Sequence, residues 1–360
     1  VAQIQDNTIL KKRWNSTHNI YKEFMKILIT GGAGYIGSHT CLQLLRQGFE
    51  VVVIDNLSNS KKESLEAVKL LSGKHLHFYN IDLLDLPAIS QVFADHTIDA
   101  VIHFAGVKSV TESINIPLHY YTTNIVSTLN LCATMLKFKV YSLVFSSSAV
   151  VYGDSERVPI TEDSALIPTN PYGKTKVVIE NILRDLHTSN PIWQIAILRY
   201  FNPTGSDNSG LIGEDPILPA NNLFPIISSV AAGKLKELQI YGNDYPTLDG
   251  TCVRDYVHVT DLANGHIRVL KHLETSPGMV TYNLGAGKGY SVIEVVEAFS
   301  KACNQKIPYR IVPRRRGEIA VSYANSDLIF QELGWKAEKD LDSMCADSWK
   351  WQVNNINGYK

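Results

Sequence analysis

Charge of neither sign is in excess in this chain of 360 residues: 34 lysines and arginines face 35 aspartates and glutamates, for a formal net charge of -1. That balance excludes the broadly cationic surface that holds nucleic acid or an anionic membrane face, so clustered arginines need a local use. Long apolar runs are missing too. No stretch of about 20 apolar residues occurs, which excludes a membrane-spanning helix. Cysteines are few, odd in number and far apart: Cys41, Cys132, Cys252, Cys303 and Cys345. None has the short spacing of a zinc site, so free thiols, no metal and a reducing, cytoplasmic compartment are expected. Residues 1–24 contain no apolar core segment and so do not read as a signal peptide. They are expected to form a poorly ordered appendage ahead of Met25.

What is present is a regular alternation. KILIT (26–30), VVVIDN (51–56), LHFYNIDL (76–83), DAVIHFAG (99–106), SLVFSSS (142–148) and QIAILRY (194–200) read as buried strands, with amphipathic helices between them. One helix is expected from about Tyr120 to Leu136 and another from Tyr172 to about Leu186. The pattern predicts an α/β fold: a Rossmann-type doubly wound, mostly parallel sheet with a smaller α/β substrate-binding lobe. A nucleotide domain over 25–200 and a lobe drawn mainly from 201–360 are expected, with some later segments returning to the first. LQIYG, VTYNLG and PYRIVP are further strands, LDSMCADSWKWQV a closing helix, and the Gly-, Pro- and Asn-rich residues 203–225 binding loops.

GGAGYIG places glycines at 31, 32, 34 and 37 between the first strand and the first helix. Glycine there permits a tight turn, close approach of backbone to a pyrophosphate, and close packing of helix on strand. Asp55 ends the next strand, where a carboxylate suits ribose hydroxyls and repels a 2'-phosphate; NAD is therefore expected over NADP. Lys108, just past the small-residue strand end of DAVIHFAG, is either solvated or in reach of the cofactor phosphates, and Asp82 lies near the expected adenine site.

Ser146, Ser147 and Ser148 finish a strand at the edge where a parallel sheet carries its ligands. Tyr172 and Lys176 then stand four apart in NPYGKTK, on one face of a helix. A free phenol titrates near 10, too high for a good base at neutral pH. A neighbouring ammonium and a cationic nicotinamide would both favour the phenolate, which could then take a proton from a sugar hydroxyl.

Together these features resemble the extended short-chain dehydrogenase/reductase superfamily and, within it, the UDP-glucose 4-epimerases. TGGAGYIGSHT, DNLSNS, VIHFAG, FSSSAVVYGD, NPYGKTK, LRYFNP, GEDP, NNL, YGNDYPT, DGTCVRDYVHVTDLA and YNLGAGKG carry the likeness from Met25 almost to Lys360. It implies tightly held NAD, UDP-hexose substrates and a homodimer. Ser148, Tyr172 and Lys176 would be catalytic: Tyr172 takes the 4'-hydroxyl proton, hydride leaves C4 for NAD, and the 4-keto sugar turns before hydride returns. Cofactor contacts would come from Gly31, Gly34, Tyr35, Ile36, Gly37, Asp55, Asn56, Asn59, Ser60, Asp82, Phe104, Ala105, Gly106, Lys108, Thr123, Tyr172, Lys176 and Phe201. Substrate contacts would come from Ser148, Tyr172, Asn202, Asn222, Leu223, Gln239, Ile240, Tyr241, Arg254, Arg315, Glu318 and Ser322. Arg254 and Arg315 would clamp the diphosphate, and the strand Gln239–Tyr241 would meet the uridine.

Several positions depart from the family pattern: Thr123 for asparagine, Val150 for threonine, Ala220 for proline, PTGSDNSG for PxGAHPSG, and Glu318 for aspartate. Ser322 stands where some members carry a bulky tyrosine beside the hexose, so room for a 2-acetamido group is expected. A nucleotide-sugar 4,6-dehydratase would share fold and Tyr–Lys pair. It also needs acidic groups beside the serine strand, where this chain has Ser147, Ala149 and Val150.

Overall fold

Each of the expected apolar runs of the parallel sheet forms a strand, in a computed structural model that describes residues 25–219, 222–315 and 318–359. The expectations for residues 1–24 and Ala220 lie outside the described residues. In chain order the elements that matter to the site are β1 (Lys26–Thr30), α1 (Tyr35–Arg46), β2 (Glu50–Asp55), β3 (His77–Asn80), β4 (Ala100–His103) and β5 (Ser142–Ser148). They continue with α2 (Pro171–Ser189), β6 (Gln194–Tyr200), β7 (Asn202–Thr204), β8 (Leu238–Tyr241), β9 (Val253–His258) and α3 (Val259–Thr275). Last come β10 (Met279–Leu284), β11 (Gly289–Ser291), β12 (Tyr309–Val312) and β13 (Val321–Ser322).

Seven strands form one parallel sheet in the order β10-β6-β5-β4-β1-β2-β3. Strand order reverses between β1 and β4, so the carboxyl ends of these two strands flank the crevice where open α/β sheets take their ligands. Ile27, Leu28 and Ile29 are fully buried on both faces, which is why KILIT is continuously apolar rather than alternating. Each such side chain stabilises the sheet by about 1.5–3 kcal/mol. One apolar cluster lies under α1 and α3, the other under helices Leu86–Asp95 and Ser127–Lys137 and under α2.

A second region forms around β9, which pairs with β7 and β13 in parallel and with β11 antiparallel, while β8 pairs with β12. Two elements depart from expectation. The helix expected from Tyr120 to Leu136 is interrupted by a π-helical turn, Thr122–Val126, a feature that often marks functional sites. The C-terminal lobe, expected to mix short helices with its strands, instead holds the 17-residue α3 directly after the strand β9.

Candidate active site

The glycine turn after β1 is shaped by contact, not by flexibility. Gly31 has φ +71°, and a methyl there would lie 2.7 Å from the Ala105 nitrogen at the end of β4. A methyl on Gly37 would lie 2.2 Å from the Gly31 carbonyl oxygen. The first turn of α1 begins at Gly34 without any side-chain cap, so its backbone N–H groups face the crevice unclaimed by a side chain. Asp55 closes the turn: its carboxylate accepts from Ala33 N (3.0 Å), Leu57 N (2.9 Å) and Ser60 Oγ (2.8 Å). A carboxylate has about four acceptor positions, so one remains for a ribose hydroxyl. Glycine cradle, open helix end and acidic residue together fit a dinucleotide without 2'-phosphate.

Other expected cofactor residues are drawn together here, several already bonded. Asn56 donates to Asp82 (2.8 Å), and Ser60 is buried with its hydroxyl on Asp55. Asn59 accepts from Leu218 N (2.9 Å), and Lys108, 55 % exposed, pairs with Glu214 at 3.4 Å. Lys61 pairs with Asp215 at 2.7 Å. The GEDP loop is thus strapped to the segments after β2 and β4, on both sides of the glycine turn, a function for that motif that local sequence does not reveal. Tyr35 donates to Gly205 O (2.6 Å), and Ile36 packs against the core beneath α1. Phe104 lies 4.8 Å from the His266 ring, Ala105 donates to Thr30 O, and Gly106 abuts Asn124 Oδ1. Thr123 is hydrogen-bonded to His119 (3.4 Å), whereas Asn124 is buried and holds both N–H and C=O of Val107.

The catalytic candidates meet where β5 ends and α2 begins. Asn170 caps α2 by accepting from Gly173 N (2.9 Å), with Pro171 in the first turn. Such a cap is worth about 1 kcal/mol and fixes Tyr172 at the helix entrance. Ser148 Oγ accepts from Val150 N (3.3 Å), and the Ser148 side chain acts on the Tyr172 phenol in the direction that favours the phenolate. Lys176 is only 5 % exposed; its Nζ donates to Ser146 O (2.7 Å) and lies 5.9 Å from the centre of the Tyr172 ring. Burial pushes the Tyr172 phenol up to about 12, with the Ser148 bond pulling the other way. Burial also lowers Lys176 to about 8, opposed by the charge of Glu180. Burial thus opposes the phenolate that a neighbouring ammonium and a cationic nicotinamide would favour, and it outweighs the influence of Ser148.

Sequence reasoning missed what lies behind these residues. Glu180, one turn beyond Lys176, accepts from Ser147 and Arg199, and Arg199 also donates to Tyr152 Oη (2.9 Å). The signal was available: an arginine inside the apolar strand QIAILRY needs a buried partner. Tyr200 donates to the buried His266, again a long-range pair.

On the substrate side, Ser322 is buried and stands opposite Arg254 in the β13–β9 register. Arg254 Nη2 pairs with Glu318 Oε1 (2.6 Å) and donates to Ile319 O (2.7 Å). The Arg315 guanidinium stacks 3.8 Å from the centre of the Tyr241 ring, which ends β8. Gln239 accepts from Tyr241 Oη (3.2 Å), while Ile240 is buried and contributes backbone only. Asn202 donates to Asp255 O (2.8 Å); the Asp255 carboxyl, raised to about 6 by burial, accepts from Ala286, Gly287 and Ala324 N–H groups. Asn222 donates to Glu214 (3.3 Å), and Leu223 begins the next helix. Phe201 belongs to a small cluster with Val151, Tyr152, Ile160 and Ala324, which joins the catalytic turn to the strand of Ser322. Among the described residues no group of three or more His, Cys, Asp or Glu could hold a metal, and no helix is long and apolar enough to cross a membrane.

Residues 27–285 match the NAD dependent epimerase/dehydratase family. The UDP-glucose 4-epimerase of Bacillus subtilis is 56% identical over 336 residues, covering 93% of this chain and 99% of that one. Similar in structure is the UDP-glucose 4-epimerase of Bifidobacterium longum, solved with NAD+ and UDP: TM-score 0.91, 49% identity, 93% of this chain and 100% of that one. Another is the Stenotrophomonas maltophila enzyme, solved with NAD and formylated UDP-arabinopyranose: TM-score 0.90, 48% identity, 92% and 98% covered. The chain belongs to the NAD dependent epimerase/dehydratase family, within its UDP-glucose 4-epimerase branch.

Proposed function

We propose that this enzyme interconverts UDP-galactose and UDP-glucose by inverting C4 of the hexose, with NAD as a resident cofactor. The observation that carries the reading is the convergence of Ser148, Tyr172 and Lys176 at the end of β5, between the glycine turn and the strand pair of Arg254 and Ser322. Bound NAD supplies reversible two-electron chemistry at the sugar carbon. Tyr172 exchanges a proton with the 4'-oxygen, and Ser148, whose side chain favours the phenolate of Tyr172, steadies that oxygen pair. Lys176 lies beside the Tyr172 ring and holds the tip of β5 through Ser146. Arg254 and Arg315 grip the diphosphate, for which a guanidinium fork is suited. Holding the nucleotide while the sugar turns is essential, since a keto sugar that escaped would leave the cofactor reduced.

In this reading residues 25–200 with β10 and α3 form the cofactor domain, and the elements around β9 and β8 hold the UDP-sugar. The protein is cytoplasmic and homodimeric. Ile114, Leu118, Leu129 and Val178, all exposed on neighbouring helices, give an apolar face for such a dimer. The purified protein should convert UDP-galactose to UDP-glucose without added NAD or reductant. Formation of a 4-keto-6-deoxy sugar instead would move it to the dehydratases, for which the flanking Ser147, Ala149 and Val150 offer no acid.

Ser322 extends the reading to the UDP-N-acetylhexosamines, since a serine opposite Arg254 is far smaller than a tyrosine. Ser322→Tyr should reduce turnover of the acetylated pair at least tenfold while that of UDP-galactose changes little. A single missing or added methylene is worth about 10–200-fold in a fitted site, and a phenol is larger. Equal loss on both sugar pairs would remove the selectivity argument.

A further inference from the structure

We propose that Glu180 is a positioning residue for this reaction: it anchors Ser147 at the tip of β5 and supplies the opposite charge for the Lys176 ammonium. The inference rests on the role given above to Tyr172 and Lys176. Tyr172, Lys176 and Glu180 follow one another at spacings of four along α2, so they lie on one helix face. Glu180 is fully buried. Its Oε1 accepts from Ser147 Oγ (2.6 Å) and Arg199 Nε (3.1 Å), its Oε2 from Arg199 Nη2 (2.7 Å) and Arg184 Nη2 (2.8 Å). Burial pushes this carboxyl up, but the bonds from Arg199, Ser147 and Arg184 together outweigh it and hold Glu180 below the usual carboxylate range. It is therefore an anion at every working pH.

Ser147 is flanked by the two residues the reaction uses. Ser146 O accepts a hydrogen bond from Lys176 Nζ, and Ser148 acts on the phenol of Tyr172. One carboxylate thus fixes the distance between the serine strand and the tyrosine helix. Its charge is needed as well. Apart from Arg199, the groups that face Lys176 from the other elements are uncharged. His103 from β4, held between Thr30 and Thr128, is lowered to about 3 by burial, Lys176 acting in the same direction. The Phe145 ring of β5 lies 4.8 Å from Nζ. Tyr172 on α2 is a neutral phenol, and so is Tyr200 on β6, which burial raises further. Arg199 on β6 adds positive charge to the same network. Glu180 is the group that opposes the desolvation of Lys176, which already stands near neutrality at about 8.

Glu180→Gln should move the alkaline limb of the kcat–pH profile of the NAD-loaded enzyme to lower pH by about one unit, because Lys176 loses its counter-charge. Above that limb one unit is about tenfold in kcat. Since the single change leaves Arg199 buried and unpaired, the double variant Glu180→Gln/Arg199→Gln is measured beside it, with NAD content and far-UV circular dichroism to establish folding. Glu180→Asp should lower kcat but keep the wild-type limb. Ser147→Ala should do the same, since it removes the tether and leaves the charge. A merely structural Glu180 would lower kcat at all pH values without displacing the limb. Wild-type position of the limb in folded Glu180→Gln, or the same limb in the double variant as in Arg199→Gln alone, overturns the proposal, as does a Glu180→Asp limb displaced as far as that of Gln. Absence of epimerisation by the wild type in the same assay would instead overturn the function on which the proposal rests.

Discussion

Tyr172→Phe is expected to keep its NAD and still bind UDP, yet to epimerise UDP-galactose about 10²–10⁴-fold more slowly, the usual contribution of a general acid–base group. The change removes one oxygen and keeps the ring whose centre lies 5.9 Å from Lys176 Nζ. Ser148 retains its bond from Val150 N, and Lys176 retains Ser146 O, so the neighbours have no reason to move. The phenol at about 12 is protonated in the protein alone. Proton transfer therefore waits for a cationic neighbour that favours the phenolate. Two measurements check this: turnover of UDP-galactose, and NAD released on denaturation of the purified variant. Near-normal turnover with full cofactor content would remove Tyr172 from the chemistry and leave the serine–tyrosine pair a structural contact.

How far the site could be read in the sequence depended on how far apart its parts lie along the chain. β1, β5 and β6 begin and end where their apolar runs do, because parallel strands buried on both faces carry an uninterrupted signal that glycine, serine or asparagine terminates. The glycine turn and the Ser148, Tyr172 and Lys176 set were legible for the same reason, each being a short pattern tied to one strand or helix end. The segment from Val253 to Thr275 was harder. Arg254, Asp255 and His258 interrupt the strand, while Asp261 and His266 lie on the buried face of α3. Those polar groups are tolerated because partners far along the chain satisfy them: Asp261 accepts from Glu338 and Lys339 N–H groups, and His266 from Tyr200. The ties of Arg254 to Glu318, Lys61 to Asp215 and Glu180 to Arg199 are of the same kind. Their residue types are visible in the chain. Their pairing exists only once β6, β9 and the GEDP loop are in place.

Gly37→Ala is the second change with a large expected effect, and it acts on the cofactor rather than on the proton. The added methyl would lie 2.2 Å from the Gly31 oxygen, 2.7 Å from Gly32 Cα and 3.0 Å from the Gly31 carbonyl carbon, all backbone atoms of the phosphate turn. No flexible side chain is there to yield, so α1 must lift away from the turn. Overpacking of this kind typically costs about 1–3 kcal/mol. The displaced N–H groups of the first helical turn then no longer converge on a pyrophosphate. The variant should be purified largely free of NAD, should melt below the wild type, and should regain activity only with added cofactor, if at all. Gly73→Ala serves as the control. It too has positive φ, +64°, but a methyl there meets nothing within 4 Å, and it stands at the end of the helix Glu63–Ser72. It should lose only the roughly 1–2 kcal/mol that an alanine's Cβ costs in the left-handed conformation, with its NAD content intact. Full NAD content and an unchanged melting temperature in Gly37→Ala would mean that the contact of α1 with the glycine turn is not what shapes the cofactor site.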